Sequence, residues 1–209
     1  EFSRVFAART CMMAGVGLTG VFLWYLVRFW VYGKAVVLTS APLTIPAGFL
    51  IAGMAVATLI GAALASWAAG PISERIEEKN IPVARAVAGA CLLYAAGLAL
   101  AWGLGVWSTG TARENGMLLF ALISGFAFGV YDSLGLELVM DSLPDPRRAG
   151  HDLGIYALAN SAGLALAAII GALLVNAFEH SFGYYLLFPS AIVMVLLAGI
   201  VTLTTKSAE

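Results

Sequence analysis

The sequence predicts an all-α membrane protein, with six transmembrane helices forming a single bundle over residues 1–209. Of its 209 residues, 61% are hydrophobic and only 11% are charged, and the mean hydropathy is +0.94. Soluble domains carry about 25% charged residues. The apolar runs are far longer than the ~10 residues of a membrane β-strand, and their polarity does not alternate, so the pattern excludes a β-barrel.

Each of six runs is long enough for a helix that crosses a bilayer, which takes about 20 apolar residues. Because the chain begins at Glu1 without a methionine or a signal-peptide pattern, we expect it to be a segment of a longer protein. The six predicted spans are Val5 to Tyr32, Ala47 to Ala69, Val83 to Trp107, Gly116 to Asp141, Asp152 to Phe178 and Gly183 to Thr204.

The basic residues predict the orientation in the membrane. Eight lie on one side and three on the other, and the side richer in Lys and Arg is the cytoplasmic one. Both termini are therefore predicted to be cytoplasmic, in the plasma membrane, with Trp30 and Trp107 at the outer interface and Trp67 at the inner one. The first group is Arg4, Arg9, Arg75, Lys79, Arg85, Arg147, Arg148 and Lys206; the second is Arg28, Lys34 and Arg113.

The segment Gly70–Asn80 places five charges between the second and third spans, which predicts a short charged turn in water. Its sequence resembles the loop signature of the major facilitator superfamily. That signature is Gly, any three residues, then Asp, then either Arg or Lys, then any one residue, then Gly and two basic residues. The residues that fit are Gly70, Glu74 (in place of Asp), Arg75 and Lys79, while Glu77 and Glu78 depart from the pattern.

A second segment, Gly129 to Gly154, is similar to the junction of the fourth and fifth helices in a sugar-transporter-like branch of that superfamily. That branch carries an acid where this chain has Gly135. We therefore do not infer the substrate of this chain from that branch. The resemblance implies the carboxy-terminal half of a twelve-helix carrier. Its partner would be an amino-terminal six-helix half in the same or a second chain.

In that family each half is a 3+3 inverted repeat, here residues 1–107 and 115–205. Two segments of the sequence favour the repeat, because Thr39–Gly48 and Asp141–Gly150 each hold two prolines, end in Ala-Gly and lie 102 residues apart. The implied function is half of a secondary active transporter that moves a small solute, a sugar or a drug-like molecule, by alternating access. A proton or cation gradient would drive it.

The resemblance further implies that the first and fourth helices line the substrate cavity. Helical spacing places Trp24, Tyr25 and Arg28 on one face of the first helix. On the fourth helix it does the same for Ser124, Tyr131 and Asp132, with Phe128 and Gly135 on the same face. Packing of the aromatic residues, and snorkelling of Arg28 to the interface, are the alternative interpretations.

Asp132 is the predicted coupling residue. It lies about three residues, or ~5 Å, from the middle of the fourth span, where an ionised carboxylate costs at least ~2.5 kcal/mol. We therefore expect it to face the bundle interior or a wet cavity. Hydrogen bonding to a neighbouring helix as packing is the alternative role.

Gly70, Glu74, Arg75 and Lys79 form the predicted conformational latch, with a solvated topology signal as the alternative. A structural scaffold and an intramembrane enzyme are the competing functions. We expect no enzyme, because His151 and His180 lie at helix ends, and no metal, other cofactor or nucleic-acid partner. Cys11 and Cys91 are expected to be packing residues.

Overall fold

The computed structural model describes residues 2–31, 45–107, 111–142, 149–178 and 180–205. Within these ranges six helices are long and apolar enough to cross a membrane, which confirms the predicted six-span helical architecture. The first span covers Phe2–Val31. The long helices are α1 (Phe2–Gly20), α2 (Ile45–Glu78), α3 (Val83–Trp107), α4 (Thr111–Asp141), α5 (Ala149–Ala177) and α6 (His180–Leu203).

The first span is not one regular helix. After α1 a short break leads to a helical turn at Leu23–Tyr25 and then to a π-helix at Leu26–Val31. Such π-helical turns are rare and often occur at functional sites. The side chain of Arg113 on α4 donates a hydrogen bond of 3.0 Å to the Trp30 carbonyl oxygen, so α4 helps to hold the end of this span.

Trp30 lies inside the bundle and not on its outer surface, where a residue of an aromatic belt would be exposed. Only 3% of Trp30 is exposed, and its ring centroid lies 4.5 Å from that of Phe188 on α6. Gly105 on α3 provides the space, because a Cβ at that position would overlap the indole ring. Trp67 and Trp107, by contrast, are largely exposed on the surface of the bundle.

The charged segment Gly70–Asn80 is mostly helix, and the predicted turn is correspondingly shorter. α2 continues through Pro71 to Glu78, because Ile76 keeps an apolar face buried beyond the point where charges begin. The helix ends at Asn80, which has φ of 54°, with hydrogen bonds from Asn80 N to Glu77 O and from Ile81 N to Ile76 O. This is a Schellman-type helix end, in which Asn adopts the left-handed conformation.

The six helices pack in two interlocked groups. α1 lies against α5 and α6, α4 lies against α2 and α3, and α3 packs on α6 to join the groups. Direct contact between α1 and α4 is slight. Aromatic rings of three helices fill the centre, where Phe120 contacts both Tyr94 and Phe188.

α2 and α5 are the peripheral helices. In each, 22% of the most apolar window is buried, against 39% to 50% in the other four spans. The buried residues of α5 are small and recur every four positions: Ala159, Gly163, Ala167 and Gly171. On α2, Ala57, Gly61 and Ala65 have the same spacing and are buried or half-buried. Small residues let helix backbones approach closely inside a membrane.

Gly61 marks the closest approach of α2 to α4. A Cβ built on Gly61 would lie 2.7 Å from the Phe126 amide nitrogen and closer still to the Leu122 carbonyl oxygen. Real Cβ atoms do not approach backbone atoms this closely, so any side chain at this position would push the two helices apart.

Gly163 has the equivalent place between α5 and α1. A Cβ at Gly163 would lie 2.7 Å from the Thr10 carbonyl oxygen and 3.0 Å from the Ala14 amide nitrogen. In both helix pairs the glycine therefore faces the carbonyl oxygen of one residue and the amide nitrogen four residues later.

The first and last spans bring the two ends of the described chain together. Arg4 Nη1 donates a hydrogen bond of 2.6 Å to the Thr204 carbonyl oxygen. The beginning of α1 and the end of α6 therefore lie at the same end of the bundle, called here the terminal face. The two proline-containing segments at Thr39–Gly48 and Asp141–Gly150 lie largely outside the described residues.

Candidate functional site

Arg9 is a buried cation within the first membrane span. Its side chain is 8% exposed and lies where α1 meets α4 and α5. Arg9 Nε donates a hydrogen bond of 2.7 Å to Asn160 Oδ1 on α5, and Arg9 Nη1 lies 2.7 Å from Asp132 Oδ1 on α4. The guanidinium thus connects three helices of which two, α1 and α4, otherwise scarcely touch.

Three aromatic rings surround the same guanidinium. Its central carbon lies 5.6 Å from the ring centroids of Phe128 and Tyr131 and 5.7 Å from that of Tyr156. Phe128 and Tyr131 belong to α4, and Tyr156 belongs to α5. The negative faces of aromatic rings attract a cation within about 6 Å of the ring centroid, so the cage offsets part of the cost of burying Arg9.

The contact between Arg9 and Asp132 is short but poorly directed. Nη1 is close enough to Asp132 for an ion pair, yet this buried nitrogen makes no hydrogen bond of good geometry within the described part of the chain. An ion pair depends on distance, whereas a hydrogen bond also depends on direction. We therefore describe Arg9 and Asp132 as an ion pair in which Nη1 keeps unused donor capacity.

An apolar cluster lies between this site and the terminal face. It contains Val5, one turn before Arg9, together with Leu138 and Val139, which follow Asp132 on α4. Leu153 and Tyr156 of α5 pack against it. The cluster separates the buried side of Arg9 from the terminal face.

Asp132 is the exposed partner of the pair, with 56% of its side chain accessible on the surface of the bundle. Helix α4 is longer than the predicted span, so Asp132 lies about six residues, or ~9 Å, from the helix middle rather than ~5 Å. If the bilayer midplane crosses α4 at its middle, this position is still within the ~15 Å half-thickness of the hydrocarbon core. An exposed carboxylate at such a depth is expensive against lipid, which favours contact with water or with polar groups of another bundle.

The other predicted cavity residues of the first span lie far from this pair. Trp24 and Tyr25 are 38% and 46% exposed. Tyr25 lies 16 residues beyond Arg9, roughly 24 Å along the helix axis. It stacks on Phe29 and Tyr184, with ring centroids 6.2 and 6.0 Å away, and Arg28 lies 5.8 Å from the Phe29 centroid. These residues form a separate aromatic group towards the opposite end of the span.

The predicted cavity residues of α4 likewise lie in different environments. Ser124 is buried and its hydroxyl donates to the Ala121 carbonyl oxygen of the same helix, 3.0 Å away. Tyr131 is buried against Arg9, whereas Asp132 reaches the surface. Of the six predicted cavity residues, Tyr131 and Asp132 are the two that surround Arg9.

The predicted latch residues lie in and just after the last turns of α2. Gly70, Glu74, Arg75 and Lys79 are all exposed. Within the described ranges Glu74 and Arg75 have no ion-pair partner. A Cβ on Gly70 would meet no atom within 4 Å, so the position has no steric need for glycine in this bundle.

Three members of the site were not predicted from the sequence: Arg9, Tyr156 and Asn160. Arg9 was counted among the residues that set membrane orientation. One signal could have identified it, since it lies inside the first predicted span, where a charge is costly and usually functional. Asn160 within the otherwise apolar run of α5 is a second polar residue of that kind.

Among the residues that the structure describes, no group of three His, Cys, Asp or Glu side chains could hold a metal ion. No protein-family model, no curated protein and no solved structure matches the chain.

Proposed function

We propose that the chain is one six-helix half of a secondary active transporter of the major facilitator type. It moves a small solute by alternating access and uses a proton or cation gradient, with Asp132 as the coupling group and Arg9 as its internal counter-ion. The partner is a second six-helix half, in the same chain or in another. Both termini are cytoplasmic in this proposal, and the membrane is the plasma membrane.

The observation that carries the proposal is the asymmetry of the ion pair. Arg9 is buried and held by Asn160 and three aromatic rings, whereas Asp132 is 56% exposed at a depth within the hydrocarbon core. A structural bundle gains nothing from a carboxylate exposed at that depth. A transporter does, because the cavity between its two halves brings water to the carboxylate.

The helix packing supports a 3+3 inverted repeat. The exchange of α1 with α4, α2 with α5 and α3 with α6 maps the five most extensive helix contacts onto one another. The smaller contact of α5 with α6 has no comparable counterpart between α2 and α3 in the described residues. Gly61 and Gly163 are 102 residues apart, and the backbone positions that they face, Leu122 and Phe126 against Thr10 and Ala14, are both 112 residues apart. The constant offsets are what two copies of one three-helix unit with unequal loops would give.

Cation binding at Asp132 is coupled to the conformation of the bundle through the charge of Arg9. With Asp132 ionised, its charge compensates that of Arg9. When a proton or another cation binds the exposed carboxylate, Arg9 loses this partner and is left with Asn160 and the aromatic cage. The preferred arrangement of α1 against α4 then changes, because this ion pair is one of the few contacts between the two helices. Ligand binding shifts a conformational equilibrium only through such differential interactions.

The latch is part of the same proposal. Glu74 and Arg75 are exposed and have no ion-pair partner within the described residues, so they are free to pair with the second half in one of its two positions. A bundle of one half cannot supply both walls of the path. Residues 1 to 209 reconstituted alone should therefore show no solute uptake, and full uptake by the isolated monomer would contradict the proposal.

The experiment measures proton movement in sealed vesicles that contain the intact transporter and a trapped pH indicator. A transported solute, found by adding sugars, organic cations and organic acids in turn, should change the internal pH. Asp132→Asn should abolish gradient-driven accumulation while solute exchange continues. Glu137→Gln, an exposed acid on the same helix without an ion-pair partner in the described residues, is the matched control. Accumulation by the Asp132→Asn variant with an unchanged pH profile would exclude Asp132 as the coupling site.

A further inference from the structure

We propose that the Arg9 site binds the carboxylate group of a small monocarboxylic acid, which takes the place of Asp132 beside the guanidinium. This inference rests on the proposed transport function and names its substrate class. It is tested by equilibrium binding without any gradient, so its failure is separate from a failure of coupling at Asp132.

The first argument is the unused donor capacity of Arg9. A guanidinium carries five N–H donors in a planar fork that matches the two oxygens of a carboxylate. Here Nε is directed at Asn160, but the buried Nη1 has no well-directed acceptor in the described structure, although Asp132 lies 2.7 Å away. A carboxylate free to choose its orientation can align with Nη1 in a way that the tethered Asp132 does not.

The second argument is the charge of the site. Arg9 carries one positive charge, and the single carboxylate of Asp132 balances it. A monoanion that displaces Asp132 preserves this balance around the guanidinium. A phosphate dianion would leave excess negative charge in a buried place, and a neutral sugar would leave Arg9 without a counter-ion.

The third argument is the shape and chemistry of the walls. Phe128, Tyr131 and Tyr156 surround the guanidinium with ring faces and edges. They suit a ligand with a small apolar body next to its carboxylate. Asp132 can leave at low cost because it is already 56% exposed, whereas Arg9, 8% exposed, stays in place.

The test uses trifluoroacetate, a carboxylate that stays ionised, and its neutral analogue trifluoroacetamide. Fluorine NMR line broadening reports binding of each probe to the full chain, purified in an uncharged detergent so that no lipid phosphate competes. The wild type should broaden trifluoroacetate and leave the amide sharp. Inorganic phosphate should not displace the bound probe in a mildly alkaline buffer, where the phosphate is a dianion.

Three variants sharpen the assignment. Arg9→Lys keeps the charge but removes the fork, so affinity for trifluoroacetate should fall about tenfold or more. Asp132→Asn and the smaller Asp132→Ser remove the internal competitor, so affinity should rise about tenfold. Arg85→Lys, at an exposed position without an ion-pair partner in the described residues, should change nothing. A retained heat-unfolding transition shows that each variant is folded.

Equal broadening of acid and amide would overturn the proposal, and so would wild-type affinity in Arg9→Lys or weaker binding in both Asp132 variants. Displacement by phosphate at equal concentration would overturn the carboxylate assignment. Tighter binding in an Asp132 variant, together with its loss in Arg9→Lys, is the result that the proposal predicts.

Discussion

Arg9 and Asp132 form an ion pair whose two members have opposite environments. The Arg9 side chain is 8% exposed and the Asp132 side chain is 56% exposed, although their charged atoms are 2.7 Å apart. Removing the exposed member therefore leaves a buried charge, whereas binding at the exposed member requires no rearrangement of the core. This asymmetry makes Asp132 the mobile part of the site and Arg9 the fixed part.

The ion pair should contribute measurably to stability. Asp132→Asn leaves the buried guanidinium without its compensating charge and should lower the free energy of unfolding by about 1–3 kcal/mol, because a buried charged group then lacks its partner. Unfolding in mixed detergent micelles measures this change. Glu137→Gln on the same helix should change the free energy by less than about 0.5 kcal/mol, since it is exposed and has no ion-pair partner within the described residues.

A double-mutant cycle with Arg9→Met tests whether the two residues act together. Once Arg9 is absent, Asp132→Asn should have little further effect on unfolding, which gives a coupling energy of about 1–3 kcal/mol. Strict additivity of the two changes would mean that the pair does not act as a unit.

The close helix contacts at Gly61 and Gly163 give a second stability prediction. An alanine at either position places its Cβ against backbone atoms of the facing helix, so Gly61→Ala and Gly163→Ala should each cost about 1–3 kcal/mol. Gly48→Ala on α2 and Gly154→Ala on α5 are matched controls with no atom within 4 Å of the new Cβ. They should be neutral or stabilise by up to about 1 kcal/mol, because Ala favours helix. Equal losses in all four variants would contradict the close-packing account.

The latch hypothesis predicts that Glu74 affects the conformational equilibrium of the transporter but not the stability of this bundle. Glu74 has no ion-pair partner among the described residues, so Glu74→Gln should leave the unfolding of this bundle unchanged. In the intact transporter it should bias the inward-open and outward-open populations by roughly 1–2 kcal/mol. The accessibility of engineered cysteines on the cytoplasmic side measures that bias. Normal accessibility together with normal uptake would leave Glu74 with a role in membrane topology only.

The sequence was sufficient for the six spans because their hydrophobic lengths are set by the bilayer, which acts on each helix separately. The sequence was insufficient where a long-range contact determines the end of a helix or the burial of a side chain. Helix α2 extends beyond its first charges because Ile76 is buried against other helices, and a count of apolar residues ends at the charges. Trp30 is buried in the bundle because Gly105, 75 residues later, provides space for it.

In the candidate site, too, one residue could be predicted from local sequence and another depends on long-range contacts. Asp132 was identifiable because a lone carboxylate deep in a span is conspicuous. Arg9 was not, because a basic residue near a helix end has the same local sequence whether it snorkels to the surface or is buried. What distinguishes the two cases is Asn160 and Tyr156 on α5, about 150 residues away in sequence, and no local pattern connects them to Arg9.

The central claim is that the surface around Asp132 meets water and not lipid. Ser133 is its exposed neighbour, and Ser133→Cys can be labelled by a membrane-impermeant thiol reagent in sealed vesicles of the intact transporter, with Cys11 and Cys91 replaced by Ala. Val193→Cys on α6, 54% exposed and ten residues from the helix end, is the control at similar depth. We predict that the cysteine at position 133 reacts at least about tenfold faster than the one at 193, and that imposing a proton gradient changes its rate. Equally slow reaction at both positions, unaffected by the gradient, would contradict the transporter assignment.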